Sequence, residues 1–363
     1  MFVTFRTDGS LQIGTGHVIR CLTLANALRE KGAKCQFVCR DYQGHLMDNI
    51  RSHGFEVHKL PKPDVKDSFD SHLAHARWLG VDWLVDAQQT LWVLLGAQSD
   101  WLIVDHYALD YRWEFIMQQV CKRMMVIDDL ADRQHFCDLL LDQNYGSSAQ
   151  RYSGLISANC TQLHGPEFAL IKPIYAQRRA KQGIRRDEIK KVFVYFGGGS
   201  DPLDLNGMAI RAFQDAALMN IDLDIVVGAG FSRIEELRAT AAKRGRTRIH
   251  TQLSDLSELM INADLAVGAG GATTWERCCL GLPSIVISVA ENQKSGCDAL
   301  ASDDLIQYLG CASETNIKML REHVLQILAK PKRLRELSER SMRLVDGKGV
   351  TKVVEALEKR VNV

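Results

Sequence analysis

The segment "TDGSLQIGTGHVIR", residues 7–20, places a histidine, His17, directly after two glycines and at the start of a helical pattern. Gly14 and Gly16 allow the backbone to approach a ligand, and a helix N-terminus favours an anionic group. An imidazole titrates near neutral pH, so it can take a proton from a water molecule. His17 is therefore a candidate general base, and helix capping or contact with a phosphate is its alternative role.

Polar side chains also follow two strand-like runs of the first half. Asp8 is expected either to orient the glycine loop or to hold the imidazole of His17, although an aspartate before a glycine is also an ordinary turn former. Asp105 and His106 end the run "DWLIVDHY" and should lie at the edge where parallel sheets bind ligands. Solvation of the strand end is the alternative, and it is favoured for His106.

Two closely spaced pairs are further candidates. Asp128 and Asp129 follow "MMVI", and a carboxylate pair can bind a divalent cation or serve as acid and base. His72 and His75 stand three residues apart in a helical stretch, and we expect them to be surface histidines rather than ligands.

The second half of the chain carries two more glycine loops, "YFGGGSDPLDLN" and "GAGGATTWERCCLGLP". The second runs from a strand into small residues and then into a helix, which presents free backbone N–H groups to a diphosphate. Glu276 would accept hydrogen bonds from ribose hydroxyls; an ordinary capping arrangement is the alternative. Backbone groups near "VVGAGFS" or "TQLSDL" should contact the base of the nucleotide. The residues expected to approach the diphosphate are Gly198, Gly199, Ser200, Ala272, Thr273 and Thr274.

Strand and helix patterns alternate along both halves, as in an α/β protein. "MFVTFRT", "KCQFVCR", "DWLIVDHY", "RMMVIDDL" and "DLLLDQN" read as strands of a first parallel sheet. "KVFVYFGGGSD", "IDLDIVVGAG", "RIHTQ", "DLAVGAGG" and "SIVISV" read as strands of a second one. Two such domains in tandem predict a cleft between them.

The predicted domains are residues 1–180 and 190–345, followed by an amphipathic helix in 346–363. The charged run "AQRRAKQGIRRDEIKK" has no apolar stripe, so it is expected to be a solvated connection between the two domains.

Composition excludes several classes of protein. The 363 residues are 46% hydrophobic with a net charge of +1, so no basic field indicates a nucleic-acid partner. No run of about twenty apolar residues predicts a membrane span. The first residues have no signal-peptide pattern, and the ten cysteines have no CxxC spacing, so buried or free thiols in the cytoplasm are expected.

The motifs together resemble a known family. "GGATTWE...GLP" followed by "ENQ" resembles the nucleotide-sugar site of GT-B-fold proteins related to the MurG glycosyltransferase. "RTDGSLQIGTGHVIRCLTLA" is more specific and resembles the UDP-sugar hydrolases of pseudaminic acid biosynthesis, the PseG family. Matches continue in order through "LIVDHYALDYRWE", "VIDDLADRQHFCDLLLDQN", "GPEFALIKP" and "VDGKGV", which covers nearly the whole chain.

The resemblance implies a GT-B fold of two Rossmann-like domains facing each other across a cleft. It also implies hydrolysis of UDP-2,4-diacetamido-2,4,6-trideoxy-β-L-altropyranose to the free sugar and UDP, with inversion and without metal or cofactor. His17 matches the family's water-activating base, Tyr107 its D-x-Y tyrosine, and Asn292, followed by Gln293, its sugar-binding element. Because that family needs no metal, a structural or sugar-contacting role is preferred for Asp128 and Asp129. The terminal helix is expected to pack back on the first domain. The expected partner is a small-molecule UDP-sugar, with no stable membrane insertion; the oligomeric state stays open.

Three other readings compete with the hydrolase. A GT-B glycosyltransferase would use the same UDP-sugar donor and a different acceptor. If it were membrane-associated like MurG, it should carry an exposed basic-apolar patch on its first domain, which the sequence does not reveal. A nucleotide-sugar binding module would need no base at position 17. An NAD enzyme is disfavoured because Ile19 stands at the third glycine position, although Asp41 lies near the end of the second strand.

Overall fold

A computed structural model describes residues 1–63, 73–181, 188–228, 230–251 and 253–361. The chain divides into two compact units, residues 1–170 with 349–363 and residues 171–348. Each unit is built around a parallel β-sheet, so the predicted fold class of two parallel-sheet α/β domains is confirmed.

Among the described residues, the first unit has a seven-stranded parallel sheet in the order β3-β2-β1-β4-β5-β6-β7. Apolar residues fill the central strands because helices cover the sheet on both faces. The strands are β1 (Phe2–Thr7), β2 (Lys34–Arg40), β3 (Glu56–Leu60), β4 (Ser99–Asp105), β5 (Cys121–Ile127), β6 (Leu139–Asp142) and β7 (Thr161–His164). The helices are α1 (Gly16–Glu30), α2 (Met47–Ser52), α3 (Trp83–Leu94), α4 (Tyr111–Met117) and the terminal α13 (Gly349–Val361), and single 3-10 turns span Ala76–Leu79, Ala149–Tyr152 and Pro166–Phe168.

The chain returns to this first unit at its C-terminal end. Val350, Val353, Val354 and Leu357 of α13 lie in the same apolar core as α1. Gly349 begins the helix where no side chain would fit, because a Cβ there would press against the backbone around Ala169.

In the second unit, the described residues form a six-stranded parallel sheet in the order β10-β9-β8-β11-β12-β13. The strands are β8 (Lys191–Tyr195), β9 (Asp222–Val227), β10 (Thr247–Thr251), β11 (Leu265–Ala269), β12 (Ser284–Ser288) and β13 (Gln307–Cys311). The helices are α5 (Pro173–Lys181), α6 (Leu205–Ala212), α7 (Ile234–Arg244), α8 (Ser257–Ile261), α9 (Thr273–Cys279), α10 (Glu291–Ser302), α11 (Ile317–Leu328) and α12 (Pro331–Leu344).

The first part of the charged run predicted to be a solvated connection is instead helical. Residues up to Lys181 belong to α5, which is part of the second unit. Arg178 pairs with Asp255 and Glu258, and Arg179 donates to the carbonyl of Cys279. The prediction failed because these arginines find partners far away in the sequence. Residues 182–187 lie outside the described part of the chain.

The ten cysteines are free thiols, and nine of them are buried. This agrees with the expectation that the cysteines are buried or free thiols. Burial raises the pKa of most of them, for example Cys278 to about 12.

Candidate active site

His17 lies at the carboxyl edge of the first sheet, on the first turn of α1. The loop from β1 is closed by a hydrogen bond from the Gly14 amide to the carbonyl of Ser10, and Gly14 has a φ of +82°, which favours glycine. Gly16 is the first residue of α1, and no side chain of Thr15 caps the helix. The glycines therefore shape the loop that presents His17. The imidazole bonds to Asp105 and does not cap the N-terminus of α1.

A buried carboxylate, Asp105, holds the imidazole. Nδ1 of His17 lies 2.6 Å from Oδ1 of Asp105, at the end of β4. A neutral ring that donates from Nδ1 keeps its lone pair on Nε2, where it can accept a proton. Asp105 also stabilises the positive charge that the ring acquires when it does so. The dyad is therefore the arrangement that a general base requires.

Arg20, one turn further along α1, fixes Asp105 in place. Its Nε and Nη2 donate to the two carboxylate oxygens of Asp105, both at 2.6 Å. Burial by itself would raise the pKa of Asp105, but Arg20 and His17 outweigh it and hold that pKa well below its ordinary range. Asp105 is therefore ionised at neutral pH. No local sequence pattern pointed to Arg20, because its partner Asp105 is 85 residues away.

Tyr107 packs directly against His17. The two rings are 4.6 Å apart and nearly perpendicular. The Tyr107 hydroxyl donates to Oδ2 of Asp129 at 2.8 Å, and Arg20 donates to the same oxygen at 2.5 Å. Burial and the Asp129 carboxylate raise the pKa of Tyr107 well above its ordinary value, so the phenol stays protonated. Oδ1 of Asp129 is buried without a partner and is free to accept from a ligand hydroxyl.

The structure corrects the expectation for Asp8. Its side chain is 0% exposed, pairs with Arg6 at 2.7 Å and accepts from the backbone amide of Arg40. Asp8 therefore anchors the end of β1 to β2 and does not touch the imidazole, which Asp105 holds instead. Because it is completely buried, it is also closed to a ligand, contrary to its predicted place among the substrate-binding residues.

Strand-end solvation is also the wrong explanation for His106. It is buried, and its Nε2 lies 3.4 Å from Oδ2 of Asp8. Asp8 and His106 belong to a second buried cluster of charged residues. In this cluster Asp86 accepts hydrogen bonds from Arg6, Arg40 and the indole of Trp113. None of these contacts reaches His17.

His75 is not the surface histidine that its spacing suggested. Its ring lies 4.6 Å from the ring of Trp78 and 5.3 Å from that of Tyr107, and its Nδ1 is buried without a partner. Trp78 stacks on Tyr107 at 5.6 Å. Together His75, Trp78 and Tyr107 form an aromatic wall beside His17 that could pack against a sugar ring. His72 lies outside the described residues.

Asp128 and Asp129 do not act as a pair. Asp128 binds Arg133 at 2.9 Å and accepts from the hydroxyl of Tyr152, whereas Asp129 faces Tyr107. In the part of the chain that the structure describes, no three His, Cys, Asp or Glu side chains come together as metal ligands. The contacts of Asp128 agree with the structural side of the preferred interpretation, a structural or sugar-contacting role, and a sugar contact by either residue stays a prediction.

The glycine loops of the second unit lie at the carboxyl edge of its sheet. Gly268 has no room for a side chain, because a Cβ there would be 2.5 Å from the carbonyl oxygen of Tyr195. Gly228 faces Gly198 just as closely, so the loop that carries Gly199 and Ser200 packs on the end of β9. These close approaches fix the backbone of both loops.

The first turn of α9 contains the predicted threonines. Ala272 is exposed, and Thr273 is half-buried. Thr274 is buried, and its hydroxyl accepts from Nη2 of Arg277 at 3.0 Å, so it lies beneath the loop rather than facing a ligand. Ala272 stands at the N-cap without a side-chain cap, so the predicted capping arrangement does not form.

Glu276 is the carboxyl best placed to accept from a nucleotide. Its Oε2 is buried without a partner. Burial raises its pKa to about 7, against a hydrogen bond from Tyr175 of α5 that lowers it. Hydrogen bonds from two hydroxyl donors, such as those of a ribose, would stabilise a carboxylate that has a buried, unpartnered oxygen. Nothing in the sequence pointed to Tyr175.

The "ENQ" element begins α10 beside the glycine loop. Oε1 of Gln293 accepts from the amide of Val289 at 3.0 Å, and a Cβ added at Gly270 or Gly271 would lie 3.5 or 3.6 Å from the Gln293 side chain. Asn292 is exposed on the same turn. The structure therefore brings Gln293 to the loop, while Asn292 remains open to solvent.

A cavity of about 220 Å³ opens next to the loop that follows β8. Its lining includes Gly197, Gly199, Ser200, Phe231 and Val289. Phe231 belongs to "VVGAGFS", one of the two segments expected to contact uracil; Ala229 and Gln252 of those segments lie outside the described residues. The uracil contacts stay a prediction.

The first unit exposes some large apolar side chains. Trp92 is 76% exposed on α3, and Phe115 is 61% exposed on α4. Arg112 is the basic side chain on these two helices. The surface is therefore apolar without being strongly basic. Within the described residues, no helix combines the length and apolar character needed to cross a membrane.

Three relatives have partial sequence identity to the chain. A hydrolase of Campylobacter jejuni subsp. jejuni, UDP-2,4-diacetamido-2,4,6-trideoxy-beta-L-altropyranose hydrolase, is 23% identical over 83% of this chain and 96% of its own. The spore coat polysaccharide biosynthesis protein SpsG of Bacillus subtilis is 23% identical over 99% of this chain and 98% of its own. An uncharacterised protein of Methanocaldococcus jannaschii is 22% identical over 89% of this chain, which spans only 61% of that protein's length. The first match confirms the resemblance drawn from the sequence.

Solved structures share the fold of the whole chain. MurG of Acinetobacter baumannii has a TM-score of 0.68 at 13% identity and covers 99% of both chains. A UDP-glucosyltransferase of Polygonum tinctorium has a TM-score of 0.67 at 12% identity and covers 98% of both chains. Residues 192–356 match the model of the glycosyltransferase family 28 C-terminal domain. The chain therefore shares the GT-B fold of these solved structures, and its residues 192–356 are similar to the glycosyltransferase family 28 C-terminal domain.

Proposed function

We propose that the chain hydrolyses a UDP-activated diacetamido-trideoxy-hexose, UDP-2,4-diacetamido-2,4,6-trideoxy-β-L-altropyranose, to the free sugar and UDP. The observation that carries the proposal is the buried dyad of His17 and Asp105, joined at 2.6 Å and held by Arg20. The name of the Campylobacter jejuni relative supplies the substrate. The proposed setting is cytoplasmic pseudaminic acid biosynthesis.

In the proposed reaction, Nε2 of His17 takes a proton from water as the water oxygen bonds to the anomeric carbon. The bond from that carbon to the β-phosphate oxygen breaks on the opposite face, so the configuration inverts and UDP leaves as an anion. Asp105 stabilises the imidazolium that forms. We expect general-base catalysis by His17 to accelerate the reaction about 10²- to 10⁴-fold. No step requires a metal or a cofactor.

The second unit is proposed to bind the UDP. Amides of the loops that carry Gly198, Gly199 and Ala272 would hold the diphosphate and stabilise its charge as it leaves. Glu276, with its unpartnered Oε2, would accept from the ribose hydroxyls. Gln293, beside the glycine loop, and Asn292 would contact the sugar.

The second candidate is a GT-B glycosyltransferase with the same donor and a different acceptor. The match to a glycosyltransferase domain favours it, as do the exposed apolar side chains of Trp92 and Phe115. The same dyad would then deprotonate an acceptor hydroxyl instead of water.

Release of UDP from the donor in the absence of an acceptor separates the two candidates. The assay contains EDTA and compares the wild type with His17→Asn and with His53→Asn, a change of an exposed histidine on α2's C-terminal side. A hydrolase releases UDP, His17→Asn loses at least about 100-fold in rate, and His53→Asn behaves as the wild type. A wild type that releases UDP only when an acceptor is added would contradict the hydrolase.

A further inference from the structure

Arg277, on α9, is a buried cation without a carboxylate partner. Its side chain is among the largest fully buried in the protein, with 1% of the residue exposed. Nη2 donates to the carbonyl of Ala269 at 2.8 Å and to the hydroxyl of Thr274 at 3.0 Å, and Nε is buried without a partner. Among the residues that the structure describes, no carboxylate lies within ion-pair distance of this guanidinium.

The guanidinium lies against the inner side of the glycine loop. A Cβ on Gly268 would stand 2.8 Å from its Nη1, so glycine at that position leaves the space that the arginine fills. Its Nη2 partners, Ala269 and Thr274, lie at the two ends of the loop, and Nη1 donates to the hydroxyl of Thr273 at 3.5 Å. Arg277 therefore ties the two ends of one loop together from beneath.

The neighbours of Arg277 neutralise its charge only in part at neutral pH. Burial raises the pKa of Cys278 to about 12 and that of Cys297 to about 11, so both thiols are uncharged. Glu276 stands next to it in the sequence, but burial raises the pKa of that carboxyl to about 7. Burial also lowers the pKa of Arg277, yet a guanidinium keeps its proton at neutral pH.

A buried, unpaired charge opposes folding, and buried charges in proteins are normally paired. Among the described residues, Arg6 pairs with Asp8 and Asp86, and Arg40 pairs with Asp86. The buried Arg244 has no carboxylate in ion-pair contact, but its Nε and Nη2 donate to backbone carbonyls. Arg277 differs from these arginines because it has neither a carboxylate partner nor a partner for its Nε. The glycine loop above it is the segment that would hold a diphosphate.

We propose that Arg277 is an electrostatic positioning residue for the diphosphate of the bound nucleotide. Its charge is compensated only when the diphosphate occupies the glycine loop, and its hydrogen bonds hold Ala269 and Thr274 so that the loop amides face the ligand. This inference rests on the proposed function, since it assumes that the loop binds UDP. Arg277 acts through the loop and through its field, without contact with the reacting atoms.

Removing the charge should therefore have opposite effects on the free protein and on its complex. Arg277→Met deletes a buried charge, so the melting temperature of the unliganded chain should be equal to or higher than that of the wild type. The dissociation constant for UDP should rise about 10-fold or more, because the attraction between the arginine and the diphosphate in a partly buried site is lost. Uridine, which has no phosphate, should bind within about twofold of the wild type, since a nucleoside makes none of the lost interaction.

The experiment titrates UDP and uridine into the full chain and records melting curves without ligand. It compares the wild type with Arg277→Met, Arg277→Gln and Arg277→Lys. The lysine variant keeps the charge and should recover most of the UDP affinity, while the glutamine variant keeps hydrogen-bonding capacity and should not. If the methionine variant does not fold, the contrast between lysine and glutamine carries the same test.

Arg179→Met is the matched control. Arg179 is another arginine of the second unit, and it donates to the carbonyl of Cys279 at the end of the same helix. Its removal should leave the UDP affinity within about twofold of the wild type, because it lies at the opposite end of α9.

The result separates this inference from the proposed function. A wild type that does not bind UDP contradicts the proposed function itself. A wild type that binds UDP, with Arg277→Met binding it equally well, overturns the role of Arg277 alone. Equal loss of affinity for UDP and uridine, together with a lower melting temperature, would show a merely structural arginine and would also overturn it.

Discussion

Asp105→Asn tests the His17–Asp105 dyad by removing the carboxylate that supports His17 as the proposed general base. The substitution keeps the volume of the side chain but replaces a charged oxygen with a neutral amide. Asp105 accepts from Nδ1 of His17 at 2.6 Å and from two nitrogens of Arg20, also at 2.6 Å. All three of these charge-assisted bonds weaken, and the amide nitrogen must face a donor.

Two magnitudes follow from this geometry. Loss of the carboxylate removes the group that fixes the tautomer and stabilises the imidazolium, so kcat should fall by about 10²- to 10⁴-fold. Breaking a buried ion pair costs about 3–5 kcal/mol. Because Arg20 keeps Asp129 as a partner at 2.5 Å, we expect the cost for Asp105→Asn to be near the lower end, about 3 kcal/mol.

The assay measures UDP release per folded molecule, together with the melting temperature. Asp86→Asn is the control, because Asp86 is also fully buried and also accepts from two arginines, Arg6 and Arg40, without touching His17. We expect both variants to melt at a lower temperature and only Asp105→Asn to lose turnover. Equal losses of turnover in the two variants, or an Asp105→Asn enzyme within about threefold of the wild type, would refute the reasoning.

Three further predictions concern single side chains. Since burial raises the pKa of Glu276 to about 7, and since the ionised form accepts the ribose hydroxyls, uridine should bind about tenfold more tightly at pH 8 than at pH 6; calorimetry should show this dependence in the wild type and not in Glu276→Gln. Glu114 and Asp128 outweigh burial and raise the pKa of His135 to about 9. Protonated His135 therefore adds on the order of 3 kcal/mol to the free energy of unfolding below about pH 6.5, and this contribution is lost as the pH rises through 9. Melting temperatures from pH 6 to 10 should therefore converge between the wild type and His135→Gln, and parallel curves would contradict the assignment. Trp78→Ala should lower kcat/KM for the UDP-sugar about 2- to 10-fold and leave UDP affinity unchanged, because it removes the ring stacked on Tyr107; weaker binding of UDP itself would count against this role.

The sequence predicted the central strands well because their apolar runs are nearly continuous. "KCQFVCR" coincides with β2, and "MFVTFRT" contains β1. It missed β3, β7 and β13, whose residues are mixed or polar and which lie at the sheet edges. An edge strand is buried on fewer sides, so its sequence carries a weaker apolar signal.

The candidate site was predicted only in part, because its contacts join distant segments. The glycine loop and His17 form a local motif that can be read from consecutive residues. The carboxylate that holds the imidazole, Asp105, stands 88 residues away, so the sequence suggested the nearby Asp8 for this role and placed Asp105 only at a strand end. His75 was misread for the same reason, since its aromatic partner Tyr107 belongs to another strand end.

The charge environment of the second unit was equally invisible in the sequence. A threonine at the head of a helix with Glu276 in its first turn is the pattern of an ordinary capping arrangement, and no pattern singled out Arg277. The structure instead buries Arg277, leaves Glu276 half-buried, and leaves one atom of each without a partner. Unsatisfied buried atoms depend on the packing of several elements, which no local pattern encodes.

The central claim, attack of water on the anomeric carbon, is tested most directly by running the reaction in ¹⁸O-labelled water. Mass spectrometry then locates the label in the products after a single turnover of the full chain without an acceptor. The account predicts one ¹⁸O in the released sugar and none in UDP, at a rate that collapses in His17→Asn. Label in UDP would mean attack at phosphorus, and absence of any released sugar would mean that the enzyme awaits a different acceptor; either result would contradict the account.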